Sequence, residues 1–540
     1  MRKPLKFVIT GITTTVMLVG CTSGGSDPGD LGEIVPEMSL AYFASDFGVE
    51  YEQSARVLAD EFEQLGMQVT LEPIQFSTFV QEITVGGNLE DMALGSLGGD
   101  PDRLDPNFWV QAMAACDSPR NVTNWCNDEY TEIAKKQAQT LDEDERRASV
   151  YEAQELFQEE APWWQISHQN GGLLWNTDRW ENFTSPAPVP AWETTLRPWL
   201  DITPTGDDRV LDWAHSEDVS TYNVLTETAS VGWLKMIYDP YITYDQGELV
   251  PWAAEEWSRV DDTTVELTLR EGMTFHDGQP VTADDAVFSI NYMLELQPPG
   301  MSDALASIAG ADKVDDLTFR VRLTQPDPAI FTQALTDLVI LPQHIWEGAP
   351  DPLQWNPIDS GSVIGSGPFT FGSWTPNQEH VLGVHKSHWA APDYDGIRRL
   401  ALGQADAVRS AMVDGTADFA SSVLPADAME RLAEEQDNLE FMEVETFNTI
   451  MVWVNHEREP FGDIEFRKAM RLATNKERVA LEGWLGFATV AGEGNVPEAL
   501  ADWHSSELEP VAYDMDAARQ VLEDAGYGWD GDGRLHLPKA

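Results

Sequence analysis

Residues 269–289 read LREGMTFHDGQPVTADDAVFS and join a predicted strand to a predicted helix. Apolar and polar side chains alternate over residues 265–269, which is typical of a half-buried strand. Residues 283–296 are amphipathic with helical spacing, and residues 319–323 alternate again as a strand. This stretch therefore predicts strands and a helix that share one core.

Helices and strands also alternate before this stretch. Residues 50–65 have apolar side chains at helical spacing, Gly66 follows as a stop signal, and residues 69–72 alternate as a strand. Residues 128–140 and 142–160 read as two further helices. A helix–glycine–strand unit of this kind predicts an α/β fold.

Residues 163–175 are apolar and read as extended, whereas residues 185–208 contain five prolines and show neither a helical nor a strand period. The proline-rich segment predicts a linker on the surface. Near the end of the chain, residues 513–525 predict a helix that Gly526 closes.

The chain of 540 residues is long enough for two or three domains. Its 92 acidic and 33 basic residues give a net charge of −59, which disfavours binding to nucleic acid or to an anionic membrane surface. The acidity is spread along the whole length. This pattern favours a protein that works in very high salt, such as one from a haloarchaeon, and the alternative is an ordinary acidic secreted protein.

The N-terminus predicts a processed lipoprotein. A basic start is followed by an apolar run over residues 7–19 and by the lipobox-like sequence of residues 18–21. Residues 1–20 are therefore predicted to be a signal peptide, with cleavage before Cys21 and a lipid on its sulfur. The segment that follows is predicted to be a flexible tether to the extracytoplasmic face of the membrane.

The two remaining cysteines, Cys116 and Cys126, are predicted to form a disulfide that would stabilise the protein by roughly 2–3 kcal/mol. A zinc site is disfavoured because no histidine or further cysteine lies beside them at ligand spacing. Asn121 and Asn182 each begin an Asn-X-Thr glycosylation sequon, which is a weak motif on its own.

Several segments, taken together, resemble one known family. Besides residues 269–289, they are residues 248–257, 364–369, 413–419, 461–469, 513–527, 98–106, 116–126 and 160–163. The chain resembles the peptide-type (family 5) extracellular solute-binding proteins of ABC transporters. That resemblance implies a two-lobed, periplasmic-binding-protein-like α/β fold (type II, cluster C), with lobes that close on a ligand through two crossovers.

The segments occur in a swapped order, because residues 37–200 resemble the family's C-terminal portion and yet precede the opening motif. We interpret this order as a circular permutation, with Met38 expected close to Ala540 in space; a rearranged gene is the alternative. The predicted organisation is signal peptide 1–20, tether 21–36, lobe II 37–170, crossover and linker 171–208, lobe I 209–446, and second crossover with the rest of lobe II 447–540.

The resemblance implies capture of a dipeptide, oligopeptide or related solute and its delivery to the transmembrane permease subunits. It implies a monomer with no cofactor and no metal. In the family, an aspartate on the lid loop takes the ligand's amino group. Asp100 is the first candidate and Asp102 the second, and a plain turn carboxylate is the alternative for both. Further candidates for ligand contact, otherwise structural, are Thr226, Glu227, Thr228, Phe447, Asn448 and Thr449.

One departure from the dipeptide-binding pattern concerns the ligand. Those proteins clamp the ligand carboxylate with an arginine, and the corresponding segment here has Ser45 and Asp46. A longer peptide, a sugar or a cation complex is therefore an alternative solute. A sensory binding protein is a further alternative. An enzyme is disfavoured because the sequence has neither a Gly-X-Ser-X-Gly nor a His-Glu-X-X-His motif.

Overall fold

The computed structural model describes residues 31–44, 48–99, 101–189, 195–215, 218–227, 231–299, 301–421 and 424–539. Within these ranges, no helix is both long enough and apolar enough to cross a membrane. The predicted lipid site Cys21 and the signal peptide lie outside the described residues, as does Ala540.

Strands and helices alternate through the described chain, which is therefore a mixed α/β protein. The strands are β1 (Met38–Phe43), β2 (Val69–Ile74), β3 (Met92–Leu97), β4 (Trp163–Asn176), β5 (Trp180–Glu181), β6 (Thr203–Pro204), β7 (Val210–His215), β8 (Ile242–Asp245), β9 (Glu248–Pro251), β10 (Ala254–Asp261), β11 (Thr264–Leu269), β12 (Ile308–Lys313), β13 (Thr318–Leu323), β14 (Phe369–Thr375), β15 (Glu379–Val384), β16 (Gly396–Ala401), β17 (Phe419–Ser421), β18 (Leu439–Val454), β19 (Ala488–Val490), β20 (Gly528–Trp529) and β21 (Leu535–His536). The α-helices are α1 (Val49–Gln64), α2 (Phe76–Phe79), α3 (Asp128–Gln137), α4 (Glu143–Glu160), α5 (Pro198–Asp201), α6 (Val231–Lys235), α7 (Ala283–Leu296), α8 (Ser302–Leu305), α9 (Leu335–Asp337), α10 (Gln343–Trp346), α11 (Ala405–Asp414), α12 (Ala426–Glu435), α13 (Ile464–Leu472), α14 (Lys476–Arg478) and α15 (Met515–Asp524).

Local signals set the ends of several elements. Helix α7 has the predicted bounds because Thr282 and Asp285 form a reciprocal capping box at its start. Helix α4 begins after Asp142, whose side chain accepts a hydrogen bond from the Glu145 N–H at 3.0 Å. Helix α15 starts two residues later than predicted, because Asp514 is its N-cap and accepts from the Ala517 N–H.

The proline-rich segment is not the surface linker that the sequence predicted. It contains α5 and β6, and the latter pairs with β5. Leu196, Trp199 and Ile202 are buried in one hydrophobic core, and Val189 is buried in another. Burial of these apolar side chains fixes the segment against the folded body, which the lack of a local period could not indicate.

One large sheet runs through the described structure. Its path is β14-β15-β16-β7-β17-β4-β18-β3-β1-β2, and β19 adds to β4 beside this path. Strands β4 and β18 are antiparallel neighbours near the middle of this order. A separate sheet, β10-β11-β13-β12, carries the predicted strands around residues 269–289 and contacts α7.

One large hydrophobic core lies on each side of the β4–β18 pair. The core of lobe I includes Leu173, Trp213, Leu267 and Phe369, and it spans residues 173–444. The core of lobe II combines residues 35–166 with residues 447–535, and it also takes in Val189. A smaller cluster packs α11 and α12 against β4, β7 and β17. We use lobe I and lobe II for the parts of the chain built on the two large cores.

Candidate functional site

Two long strands, β4 and β18, are the elements that connect the lobes through the sheet. Strand β4 has Trp163 and Ile166 in the core of lobe II and Leu173 in the core of lobe I. Strand β18 runs the opposite way, with Val444 in lobe I and Ile450 in lobe II. Each strand therefore leaves one core and enters the other, and the two are paired where they cross.

The pairing of these strands is irregular at the crossing itself. Val444 pairs with Gly171 and Asn448 with Gln169, so β18 has two extra residues there. A bulge of this kind bends and twists a strand locally, and it redirects its side chains. The bulge places Thr446, Phe447 and Asn448 at the junction between the lobes.

Asn448 lies in a row of polar contacts on the lobe II side of the junction. Its Nδ2 donates to Gln169 Oε1 at 2.8 Å, and its Oδ1 accepts from Ser96 Oγ at 3.5 Å. Ser96 in turn accepts from the Tyr51 hydroxyl at 3.0 Å, and burial raises the pKa of that hydroxyl. Asn448, Gln169 and Ser96 are half-buried, so this row offers amide and hydroxyl groups at a partly accessible surface.

Thr449 belongs to a neighbouring, more buried cluster. Its hydroxyl donates to the Phe447 carbonyl at 2.8 Å and lies 3.2 Å from His168 Nδ1. His168 Nε2 is 2.9 Å from Glu498 Oε2, and Glu498 also accepts from the Gly492 N–H. Burial alone would raise the pKa of Glu498, but the hydrogen bond and charge of His168 outweigh it and lower the pKa to about 2. Glu498 is therefore a fixed negative charge beside the crossing strands.

The loop that follows β19 and leads to Glu498 is held in place by two buried cationic side chains. Lys476 Nζ donates to the carbonyls of Ala491 and Gly492 at 3.2 and 3.0 Å, and it forms an ion pair with Glu493 at 3.1 Å. Arg471 forms a second ion pair with Glu493. These contacts fix the loop after β19, which pairs with β4 at residues 167–169.

Of the three lobe I residues predicted to contact the ligand, two are among the described residues. Glu227 is buried, and its carboxylate accepts hydrogen bonds from the Ser220 and Thr221 N–H groups and from the Ser220 hydroxyl. This carboxylate faces its own loop. Thr226 is half-buried, with its Oγ1 3.5 Å from the Asn223 carbonyl, and Thr228 lies outside the described residues.

The predicted lid loop is described in part. Asp100 lies outside the described residues, and the backbone of Asp102 is part of a 3₁₀ turn, Pro101–Leu104. Arg103 donates to the Gly98 carbonyl, and its own carbonyl accepts from Trp109 Nε1 at 2.9 Å. The loop is thus folded back on itself and anchored by a buried tryptophan.

Next to this loop, side chains of the two lobes touch directly. Asp105 of lobe II is buried in an ion pair with Arg146 at 2.5 Å, and it accepts from Thr332 Oγ1 of lobe I at 2.7 Å. Arg120, in the loop that the Cys116–Cys126 disulfide closes, forms an ion pair with Asp303 of lobe I at 2.6 Å. The lobes are therefore in contact on this side of the junction.

The structure brings together Phe447, Asn448 and Thr449, and it keeps Glu227 in a separate loop. Sequence reasoning missed His168, Gln169 and Glu498. The available signal was the polar run at residues 167–170 between apolar segments of the strand. The positions that correspond to the carboxylate-clamping arginine, Ser45 and Asp46, lie outside the described residues.

Comparison with known proteins identifies the family. Residues 248–539 match the family model described as "Bacterial extracellular solute-binding proteins, family 5 Middle". The chain belongs to this family. The residues matched by the family 5 model include the separate sheet, α7 and the second part of lobe II. The match ends three residues after β21.

Individual relatives of this family 5 protein cover it in part. It is 26% identical over 277 residues to the oligopeptide-binding protein AppA of Bacillus subtilis (50% of each chain), and 23% identical over 321 residues to heme-binding protein A of Haemophilus influenzae (54% of this chain and 57% of the relative). The chain thus spans about half the length of these curated relatives.

Among solved structures, the periplasmic oligopeptide-binding protein of an ABC transporter of Thermotoga maritima aligns with a TM-score of 0.50 at 21% identity. The alignment covers 61% of this chain and 66% of that one. At this identity the likeness shows the two-lobed fold alone.

Proposed function

We propose that this family 5 protein is the extracytoplasmic solute-binding component of an ABC importer. In this proposal it captures a dipeptide, oligopeptide or related solute between its lobes and delivers it to the permease. The observation that carries the proposal is the pair of antiparallel strands, β4 and β18, that pass between two separate hydrophobic cores. Such a connection lets two lobes rotate as bodies about a small set of backbone positions.

The bulge in β18 is the natural place for this rotation. Its extra residues are not held by the regular ladder of hydrogen bonds, so their backbone angles can change with little disruption of either core. The half-buried row of Asn448, Gln169 and Ser96 borders that position. We infer that closure brings these groups against the solute, where they can hydrogen-bond a peptide main chain.

For the solute itself, peptides are the first choice. AppA is named as an oligopeptide-binding protein, and Asp100 and Asp102 remain our candidates for the partner of a ligand amine, with Thr226 and Thr228 on the opposite lobe. A non-peptide solute is the second candidate, because another relative of similar identity is named as a heme-binding protein. The absence of arginine at positions 45 and 46 disfavours a dipeptide clamped by its carboxylate.

The rest of the proposal concerns where the protein works and with what. We propose that it is a monomer, tethered to the outer face of the cell membrane by a lipid on Cys21, with the permease subunits as its protein partners. Neighbouring genes for a permease and an ATPase would distinguish import from a sensory role, in which the same lobes would present the solute to a receptor. No catalytic step, cofactor or metal enters the proposal.

We further propose that the chain is a circular permutant, with lobe I contiguous and lobe II assembled from both ends. Support comes from the register of the strands at the junction. Met38 donates to the Gln68 carbonyl and pairs with Val69, and Leu535 donates to the Gly66 carbonyl in the same manner. Ile34 and His536 form an antiparallel bridge, and Val35 donates to the Leu535 carbonyl at 2.9 Å, so the last described residues lie beside the residues that lead into β1.

Rejoining the termini tests the permutation. A variant in which a short Gly-Ser linker joins Pro538 to Gly32, whose backbones lie side by side, with new ends placed within residues 190–194, should fold and bind with the affinity of the natural order. Failure of this variant to fold, while the natural chain folds, would contradict the permutation and leave the binding function untouched.

Binding is tested by native mass spectrometry of the purified protein, first as isolated and then with a defined mixture of di- to decapeptides. We expect a mass increase from a bound peptide. Asn448→Ala should weaken that binding about fivefold or more, because one net hydrogen bond contributes about 1 kcal/mol. Asn356→Ala, in a surface turn of lobe I where Asn356 donates to Asp359 Oδ1, is the matched control. Failure of the whole mixture to bind, together with binding of heme, would favour the second candidate.

A further inference from the structure

The two glycosylation sequons lie in contrasting surroundings. Asn121-Val122-Thr123 lies inside the loop that the Cys116–Cys126 disulfide closes. Asn182-Phe183-Thr184 follows β5 in lobe I. Because a glycan needs an accessible amide nitrogen and free space around it, the two sites can be compared directly.

In the first sequon, the amide of Asn121 is committed to the fold. Its Nδ2 donates to the Trp125 carbonyl at 2.7 Å, and it lies 3.2 and 3.4 Å from the carbonyls of Ala115 and Ala114. The hydroxyl of Thr123 donates to Asn121 Oδ1 at 2.8 Å and is buried. A sugar on Nδ2 would have to occupy the space of these carbonyls and would leave them without their donor.

In the second sequon, Asn182 is exposed. Its backbone has φ of 66°, and its Nδ2 donates to Thr203 Oγ1 at 3.1 Å. A glycosylated amide keeps one N–H, so this hydrogen bond can persist after modification. The next residue, Phe183, is buried and stacks between Trp175 and Phe419 with ring centroids 5.0 Å apart in each case, which fixes the sequon at the surface.

We propose that Asn182 is an N-glycosylation site of this protein and that Asn121 is not. The reaction joins Asn182 Nδ2 to the anomeric carbon of an oligosaccharide, with loss of the Nδ2 proton and departure of the diphosphate of a lipid-linked sugar donor. The inference rests on the proposed function only because the chain must reach the extracytoplasmic side. Because Phe183 stacks on Trp175, five positions along β4 from Asn170 at the crossing, a glycan on Asn182 lies on the order of 15 Å from the bulge and should leave solute binding unchanged.

The test is glycopeptide mass spectrometry of the protein purified from the membranes of its native host. We expect a glycan on the peptide that contains Asn182, its loss in Thr184→Ala, and its retention in Thr184→Ser, which preserves the sequon. Asn121 should be unmodified in all three proteins. An unmodified Asn182, or a glycan on Asn121, would overturn the assignment. Peptide binding measured on the same samples reports separately on the proposed function.

Discussion

Replacing Glu61 with glutamine should stabilise the protein at pH 8 and change little near pH 4. Glu61 lies on α1 of lobe II and is 1% exposed. Its Oε2 accepts from the Asn475 N–H at 2.9 Å, and Oε1 is 3.6 Å from Arg478 Nη1. Burial raises its pKa from 4.5 to about 7, since the Asn475 hydrogen bond and the charge of Arg478 compensate only in part, and nearby Glu482 opposes ionisation.

The size of the effect follows from this shift. A pKa that rises from 4.5 to about 7 on folding corresponds to about 3 kcal/mol between the two protonation states. Because the pKa of Glu61 is raised in the folded protein, the contribution of this group to the free energy of unfolding is fully present below pH 4.5 and is lost as the pH rises through 7. Glutamine resembles the protonated acid and keeps an acceptor for Asn475, and the pKa of about 7 already includes the attraction to Arg478. The net gain at pH 8 should therefore be about 3 kcal/mol.

Urea unfolding, followed by tryptophan fluorescence at pH 8 and at pH 4, measures this difference. Glu63→Gln, an exposed change on the same helix, is the control for a general loss of negative charge. The reasoning would be refuted by a Glu61→Gln protein that is less stable than the natural one at pH 8, or by a gain that is the same at both pH values.

Three further predictions use the same unfolding measurement. Replacing Cys116 and Cys126 by serine should cost about 3 kcal/mol, because the disulfide closes a loop with a sequence separation of 10; an unchanged midpoint would contradict a stabilising role. Glu498→Gln should reduce the loss of stability in acid. A carboxyl whose pKa is lowered to about 2 stabilises the folded protein above pH 4.5 and loses that contribution as the pH falls through 2. The same decrease of stability with falling pH in both proteins would argue against the pairing of Glu498 with His168. Leu267→Ala should cost 2–5 kcal/mol because Leu267 is fully buried in the core of lobe I, and a cost under 1 kcal/mol would mean that this site collapses freely.

The parts of the fold that could be predicted are those set by signals within a short stretch of sequence. Helix α7 and strand β11 follow from period and capping alone, because their signals are contained within a few residues. The segment around Trp199 was misread as a surface linker, since its burial comes from residues distant in sequence. Strand β18 continues for 16 residues through a bulge, and a bulge interrupts the alternation that would otherwise predict one strand.

The candidate site was predictable to a smaller extent. Phe447, Asn448 and Thr449 were proposed from the resemblance to the family, and they lie where β4 and β18 cross between the cores, but their contact with a solute stays a prediction. The pairing of His168 with Glu498 joins residues that are 330 positions apart, so no local pattern could indicate it. Glu227 was expected to line the cleft, and its hydrogen bonds to a turn seven residues earlier depend on loop geometry that the period of the sequence does not encode.

The most direct test of lobe closure is small-angle X-ray scattering on one preparation, first stripped of solute by unfolding and refolding and then saturated with a peptide that native mass spectrometry shows to bind. Rotation about β4 and β18 predicts a smaller radius of gyration with the peptide than without it. An unchanged radius, at a concentration where the bound complex is seen by mass, would contradict closure of the two lobes on the solute.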